Sequence, residues 1–188
     1  MRPELALRVE SIAEVGCQTM RYAGWTCLCG TMLLASGCAG KAGAASALPI
    51  GTLAPDFELP QVGGGSVRLS ELRGRPVLLS FGAVGCRPCR AEAPHLTALA
   101  TKYADRGLAV LSVNVWNEDA RKIERFAKEK GLSHPHLLNG LDLYRDRYNG
   151  RTVPQVYVID REGRIAASHS NFVPGDERHL EDMVLGVL

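Results

Sequence analysis

Residues 77–103 carry the pattern that decides the fold, VLLSFGAVGCRPCRAEAPHLTALATKY. The apolar run at residues 77–81 predicts a strand that is buried on both faces of a sheet. Residues 90–103 carry apolar side chains at helical spacing and predict a helix. Cys86 and Cys89 therefore lie at a strand-to-helix junction, where two cysteines separated by two residues form a redox site more often than a structural one.

The position of the two cysteines favours thiol chemistry. The unpaired N–H groups and the dipole at a helix N terminus stabilise an anion. This favours the thiolate of Cys86, which is the attacking species in disulfide exchange. Cys89 is close enough to resolve the mixed disulfide that such an attack forms, and Arg87 and Arg90 add positive charge nearby.

Two other roles for the cysteine pair stay open at this point. A structural zinc site needs four ligands, but no second cysteine pair follows, and the segment His134-Pro135-His136 has poor spacing for a substitute. A purely structural disulfide would close a very small loop, which gains little from chain entropy. We therefore favour a redox pair and predict no metal site.

The flanking sequence continues an alternation of strands and helices. It predicts a hairpin over residues 51–69, strands at 108–115, 136–138, 155–160 and 164–168, and helices at 118–130, 143–148 and 180–188. Alternation implies parallel pairing, and the closing hairpin implies an antiparallel edge. The predicted class is α/β, with a central mixed β-sheet flanked by helices and an N-terminal β-hairpin extension. Asn117 is expected to cap the helix that follows it.

Length and composition limit the possible classes of protein. The chain has 188 residues, enough for one domain with additional segments. Hydrophobic residues make up 46%, which suffices for a packed core, and a formal net charge of +2 does not favour nucleic acid as a partner. The other four cysteines, Cys17, Cys27, Cys29 and Cys38, precede the predicted domain, so the domain contains one isolated pair.

The segment before the domain resembles an export signal. Residues 25–34 form an apolar stretch that is too short to span a bilayer but suits a signal peptide. Leu34-Ala35-Ser36-Gly37-Cys38 then resembles a bacterial lipobox, in which the peptide is cut before the cysteine and Cys38 carries lipid. The alternative is a secreted periplasmic protein, cleaved by ordinary processing near residues 39–47.

These patterns divide the chain into four parts. Residues 1–19 carry acidic side chains upstream of the signal, and we interpret them as a misassigned extension, with Met20 as the true start. Residues 20–38 form a lipoprotein-type signal peptide that ends at the lipobox cysteine. Residues 39–49 form a flexible tether, and residues 50–188 form the domain.

Residues 50–188 resemble the thioredoxin fold, and within it the TlpA/ResA/CcmG-like thiol–disulfide oxidoreductases, which are tethered to membranes and related to the AhpC/TSA superfamily. The resemblance rests on five stretches: APDF at 54–57, LSELRGRPVLL at 69–79, CRPCRAEAP at 86–94, TVP at 152–154 and VIDREG at 158–163. The combination is highly specific, although each piece alone is less so.

The resemblance implies a role for each residue of the motifs. Cys86 would be the nucleophile and Cys89 the resolving thiol, with their redox-active disulfide in place of any other cofactor. Pro154 would be a cis-proline that faces the disulfide, and the residue before it could pair with an extended substrate segment. The substrate-binding residues implied in this way are Arg87, Pro88, Val153 and Pro154.

The same resemblance implies a place and a direction for the reaction. The protein would lie outside the cytoplasm, lipid-anchored on the periplasmic side of a membrane, and would reduce protein disulfides with electrons from a membrane thiol donor. Cytochrome c maturation is the most typical pathway, and assembly of a copper centre in an oxidase is another. Two alternatives remain: a peroxiredoxin-type peroxidase, although its Pro-x-x-x-Thr-x-x-Cys loop is absent here, and a Cu(I)-binding metallochaperone.

Several positions depart from the family pattern. Gly82 and Gly85 stand where the family has tryptophan, so we expect less apolar cover beside the sulfur and a more open loop. Ser80 stands where thioredoxin has a buried acid, so no internal carboxylate is expected there. Glu92 lies in the first helical turns, where it could affect the thiols, and His95 could approach the site. We expect both to be solvated residues of the helix surface.

Overall fold

The computed structural model describes residues 47–188. The predicted extension, signal peptide, lipid-attachment site Cys38 and most of the tether lie outside the described residues. The strands are β1 (Glu58–Pro60), β2 (Ser66–Arg68), β3 (Val77–Gly82), β4 (Ala109–Asn114), β5 (His136–Leu137), β6 (Gln155–Ile159) and β7 (Ile165–Ser170). The helices are α1 (Arg87–Lys102), α2 (Ala120–Lys130) and α3 (Glu177–Leu185), with 3₁₀ turns at Leu69–Leu72 and Ala104–Arg106 and a short π-helix at Leu143–Arg147.

Five strands form one mixed sheet in the order β5-β4-β3-β6-β7. The central strand β3 pairs in parallel with β4, and β5 pairs in parallel with the far side of β4. The other side of β3 pairs antiparallel with β6, which continues into β7 through a tight turn. This arrangement confirms the predicted α/β class, the mixed sheet and its antiparallel edge.

The strand that leads to the cysteines is buried on both faces, as its apolar run predicts. On one face the ring of Phe81 packs on Tyr144 and Tyr148, with centroids 4.8 Å from each. On the other face Leu78 packs with apolar side chains of α1 and α3. Because both faces are packed, the end of β3 and the start of the loop before Cys86 are held in place.

The N-terminal extension forms a separate two-stranded sheet, β1–β2, as predicted. The N–H of Val62 donates to the carbonyl of His136 at 2.9 Å, and the N–H of Leu138 donates to the carbonyl of Pro60 at 2.8 Å. The hairpin thereby covers the outer edge of β5, where unpaired backbone groups would otherwise be exposed.

Helix α1 begins at Arg87 rather than at residue 90. Cys86 is its N-cap, since the sulfur accepts a hydrogen bond from the N–H of Cys89. Pro88 lies in the first turn, where backbone N–H groups have no acceptor within the helix, so the N–H that proline lacks costs no hydrogen bond. The second cysteine therefore belongs to the helix.

Helix α2 begins at Ala120, and its N-cap is Asp119, whose carboxylate accepts from the N–H of Arg121. The prediction that Asn117 caps this helix is wrong. Asn117 has a φ of 50° and lies in the loop between β4 and α2. Throughout residues 47–188, every helix is too short or too polar to cross a membrane.

Candidate active site

Cys86 and Cys89 form a disulfide at the N terminus of α1. Their Cα atoms are 5.3 Å apart, and both residues are largely buried, with exposed fractions of 6% and 8%. The N–H of Cys89 lies 3.2 Å from the Cys86 sulfur. A thiolate of Cys86 would accept the same bond and lie at the positive end of the helix dipole, which lowers the cost of its charge.

The Val153–Pro154 peptide bond faces the disulfide, and it is cis, as predicted. The carbonyl oxygen of Val153 lies 3.8 Å from the Cys86 sulfur, and the Val153 side chain packs against the cysteine pair. Arg87 and Pro88 are exposed beside the disulfide. The four residues predicted to bind substrate therefore surround Cys86, and their contact with substrate stays a prediction.

Glu92 is not a solvated surface residue, and this expectation was wrong. Its exposed fraction is 1%, and its Oε2 accepts a hydrogen bond from the Ser80 hydroxyl at 2.8 Å. Burial raises the pKa of Glu92 to about 7, although the bond from Ser80 opposes the shift. With Cys89 it lines a cavity of about 50 Å³ behind the disulfide. An internal carboxylate is thus present, supplied by α1 instead of by β3.

The burial of Glu92 follows from helical geometry. Glu92 comes three residues after Cys89, and Leu96 and Leu99 follow seven and ten residues after Cys89, so the four positions share one face of α1. That face packs on the sheet. The signal was present in the sequence, because this spacing places the acid in line with two core leucines.

Glu118 holds the loop that precedes the cysteines, and the sequence reasoning missed this role. Its carboxylate accepts from the backbone N–H groups of Val84 at 2.6 Å and Gly85 at 3.0 Å. It also accepts from the amide of Asn114 and the ammonium of Lys122. Burial alone would raise the pKa of Glu118, but these hydrogen bonds lower it below its usual value.

Trp116 supplies part of the aromatic cover that Gly85 lacks. A Cβ atom on residue 85 would lie 3.0 Å from Cζ3 of the Trp116 ring, so the indole from the β4–α2 loop occupies the space beside this glycine. Trp116 is 54% exposed, and Cys86 stays buried beneath the loop. The indole thus supplies apolar cover from outside the motif, and the expectation of a more open loop stays a prediction. At Gly82, a Cβ atom would lie 3.4 Å from the Cys89 sulfur.

The histidines occupy different environments. His95 lies on the surface, as expected, with Nε2 3.5 Å from a carboxylate oxygen of Glu177. His134 bonds through its two ring nitrogens to Thr97 at 2.9 Å and Ser112 at 2.7 Å. Its ring centroid lies 4.7 Å from that of His136. Within residues 47–188, no group of three His, Cys, Asp or Glu side chains is arranged to hold a metal ion.

Comparison with known proteins gives consistent results. Residues 50–168 match the AhpC/TSA family. The thiol-disulfide oxidoreductase ResA of Geobacillus kaustophilus is 34% identical over 140 residues, which cover 73% of this chain and 80% of that protein. The thioredoxin-like protein YneN of Bacillus subtilis is 36% identical over 121 residues, which cover 63% of this chain and 70% of that protein.

Solved structures share the fold. A Chlorobium tepidum protein assigned as the thiol:disulfide interchange protein DsbE superposes with a TM-score of 0.69 and 30% identity, covering 74% of this chain and 98% of that one. A thioredoxin family thiol:disulfide interchange protein from the same organism gives a TM-score of 0.63 and 25% identity, covering 75% of this chain and 99% of that one.

Proposed function

The chain belongs to the AhpC/TSA family and is a thiol–disulfide oxidoreductase, and we propose that it reduces disulfides of other proteins through Cys86 and Cys89. The observation that carries this proposal is the Cys86–Cys89 disulfide at a helix N terminus, with the Cys86 sulfur 3.8 Å from the carbonyl oxygen of Val153. The helix terminus favours the attacking thiolate, and the second sulfur is already within bonding distance.

The reaction begins with the reduced dithiol. The Cys86 thiolate attacks one sulfur of the substrate disulfide, and the other substrate sulfur leaves as a thiolate that takes a proton from solvent. Cys89 then gives its proton to the Glu92 carboxylate and attacks the Cys86 sulfur. The second substrate sulfur leaves and is protonated, so two electrons have passed to the substrate and the Cys86–Cys89 disulfide has formed.

Glu92 suits the role of proton acceptor for Cys89. Both side chains line one cavity, and the pKa of Glu92, about 7, lies near the working pH expected of a proton-transfer group. Ser80 holds one carboxylate oxygen and leaves the other without a protein partner. Substrate would lie across Val153, whose backbone groups precede the cis-proline, with Arg87 and Pro88 at its side.

We further propose that the protein acts outside the cytoplasm, anchored through lipid on Cys38 and re-reduced by a membrane thiol donor, with cytochrome c maturation as its pathway. Support comes from the lipobox-like sequence and from the ResA and DsbE relatives. Cys38→Ala should abolish lipid attachment, detected as loss of the lipid mass from the protein of cells that export it. Wild-type protein that fractionates as soluble periplasmic material would favour the secreted alternative.

Trapping experiments test the proposed chemistry. Cys89→Ser should accumulate a mixed disulfide between Cys86 and a protein disulfide substrate, detectable by intact mass, and Cys86→Ser should form none. Peroxide consumption, or tight Cu(I) binding against a chelator, in a protein that leaves disulfides intact would support the peroxidase or metallochaperone alternative instead.

The direction of the reaction is tested by the reduction potential of the Cys86–Cys89 pair, equilibrated with dithiothreitol or glutathione. A reductant should have a potential close to that of thioredoxin, roughly −270 mV. A potential near that of the strong oxidant DsbA, roughly −120 mV, would show that the protein donates disulfides.

A further inference from the structure

Two buried polar atoms face one cavity without a protein hydrogen-bond partner. They are Oε1 of Glu92 and Nε2 of His136, and within residues 47–188 they are the two buried side-chain atoms of this kind. Both residues line the cavity of about 50 Å³ that also contacts Cys89. Buried polar atoms in folded proteins nearly always have a partner, and a polar cavity of this size has room for water.

His136 lines this cavity and is itself partly exposed. It lies on β5, the edge strand of the sheet, and pairs with Ser112 of β4. The residue as a whole is partly exposed, whereas its Nε2 atom is buried. His136 therefore lines the cavity and is also partly accessible to solvent.

Few other polar groups border this space. The polar side chains that line it are Cys89 and Glu92 from α1, Ser80 from β3, Ser112 and Asn114 from β4, and His136 from β5. Helix α2 contributes only the apolar side chains of Ile123 and Phe126. Outside the lining, His134 stacks on His136 and Glu118 accepts from Asn114. Glu92 and His136 are therefore the proton-exchanging pair of the cavity beside the thiol.

We propose that His136 is the outer end of a proton path in which cavity water connects its Nε2 atom to Glu92 and so to the Cys89 thiol. The inference rests on the proposed function, because it assigns a route for the proton that Cys89 releases. His136 acts through Glu92 and touches neither sulfur nor substrate, so it is a positioning residue.

The proton balance is simple. When Cys89 attacks the mixed disulfide, its proton passes to the Glu92 carboxylate. Glu92 then gives a proton to cavity water, which gives one to His136 Nε2 as the imidazole releases another to solvent from its other nitrogen. The charges return to their starting values, the imidazole regains its starting tautomer by proton exchange through water, and the electrons pass only between sulfur atoms.

The protonation state of His136 suits this relay. Burial lowers the pKa of His136 to about 4, so the ring is neutral near pH 7. A neutral imidazole has one donor and one acceptor nitrogen and can pass a proton without storing charge. His134 lacks this freedom, because both its nitrogens are bonded to hydroxyl groups.

The test measures the ionisation of Glu92 in the full-length oxidised protein. Difference infrared titration between pH 5 and 9 should show a carboxylic acid band that disappears with a midpoint near 7 and is absent in Glu92→Gln. His136→Val removes the polar partner and should raise that midpoint by about one pH unit. His136→Gln, which restores a hydrogen-bonding group, should return it close to the wild-type value.

His134→Gln is the matched control, since His134 lies two residues before His136 but both its ring nitrogens already have hydroxyl partners, Thr97 and Ser112. It should leave the midpoint unchanged. If His136→Val leaves the midpoint at its wild-type value, or if His134→Gln shifts it as much, the proposal is overturned.

A measurement on the unmodified sequence covers the case in which His136→Val does not fold. The ¹⁵N chemical shift of His136 Nε2 should change with pH, with the same midpoint as the Glu92 band. In Glu92→Gln this pH dependence should disappear. An Nε2 signal that stays constant through the Glu92 transition refutes the path. Both readouts use the oxidised protein, so they are independent of whether the dithiol reduces substrates, and failure of the proposed function would be recognised separately.

Discussion

Replacing Glu92 by Gln should change how the stability of the oxidised protein depends on pH. The folded-state pKa of Glu92 is about 7, against 4.5 for an ordinary glutamate. Between these values the folded protein binds more protons than the unfolded chain, so the free energy of unfolding falls as pH rises. A difference of about 2.5 pKa units corresponds to a loss of about 3 kcal/mol between pH 4.5 and pH 8.

Two histidines have the opposite effect on how the stability of the folded protein depends on pH. Burial lowers the pKa of His134 to about 3 and that of His136 to about 4, against the usual 6.5. Below pH 6.5 the unfolded chain therefore binds more protons than the folded protein, and this contribution to stability is lost as pH falls toward those values. In the wild type the slopes from Glu92 and the histidines partly cancel between pH 4.5 and 6.5.

The comparison of wild type with Glu92→Gln isolates the carboxylate. Urea unfolding of both oxidised proteins at several pH values from 4.5 to 8.5 gives their difference in stability at each pH. This difference should move in favour of the variant by about 3 kcal/mol across the range, whatever constant offset the buried amide adds. Glu124→Gln, an exposed change on α2, is the control. Parallel curves for wild type and Glu92→Gln would refute the assignment of a buried, neutralised carboxyl group.

Three further substitutions have defined outcomes in urea unfolding of the oxidised protein. Glu118→Ala leaves the N–H groups of Val84 and Gly85 without their carboxylate and should cost about 3 kcal/mol; a loss below about 1 kcal/mol would contradict the bracing role. Gly85→Ala should lower the free energy of unfolding by less than about 1 kcal/mol, since the exposed Trp116 ring can shift away from the new Cβ atom. The same substitution should change the Trp116 fluorescence, and a constant spectrum would argue against the contact. Phe81→Ala removes a fully buried ring packed on tyrosines and should cost about 3–5 kcal/mol, more than any exposed substitution.

The local patterns of the sequence were sufficient to predict the order of strands and helices in the domain. The apolar run of β3, the cysteine pair after it and the glycines between β1 and β2 each predicted an element that the structure contains. The cis state of Val153–Pro154 was predicted as well, from resemblance to a family motif. Such features depend on neighbours within a few residues or on a short motif, so they can be read along the chain.

Helix starts were less well predicted, because they depend on which group caps them. The sulfur of Cys86 and the carboxylate of Asp119 take these roles here. The three-residue error at α1 left Cys89 outside the predicted helix, whereas the spacing of Glu92 with Leu96 and Leu99 is the same for either start. The helical period alone places Glu92 on the face of these two core leucines.

The sequence by itself determined that this protein is an α/β domain with a dithiol at a helix N terminus, because apolar periodicity and the cysteine spacing are local properties. Only the tertiary structure decided which groups surround that dithiol. Ser80 meets Glu92 across 12 residues, and Val84 meets Glu118 across 34. Hydrogen bonding and burial at such separations depend on how the strands and helices pack, and that packing sets the environment in which the Glu92 carboxyl is neutralised near pH 7.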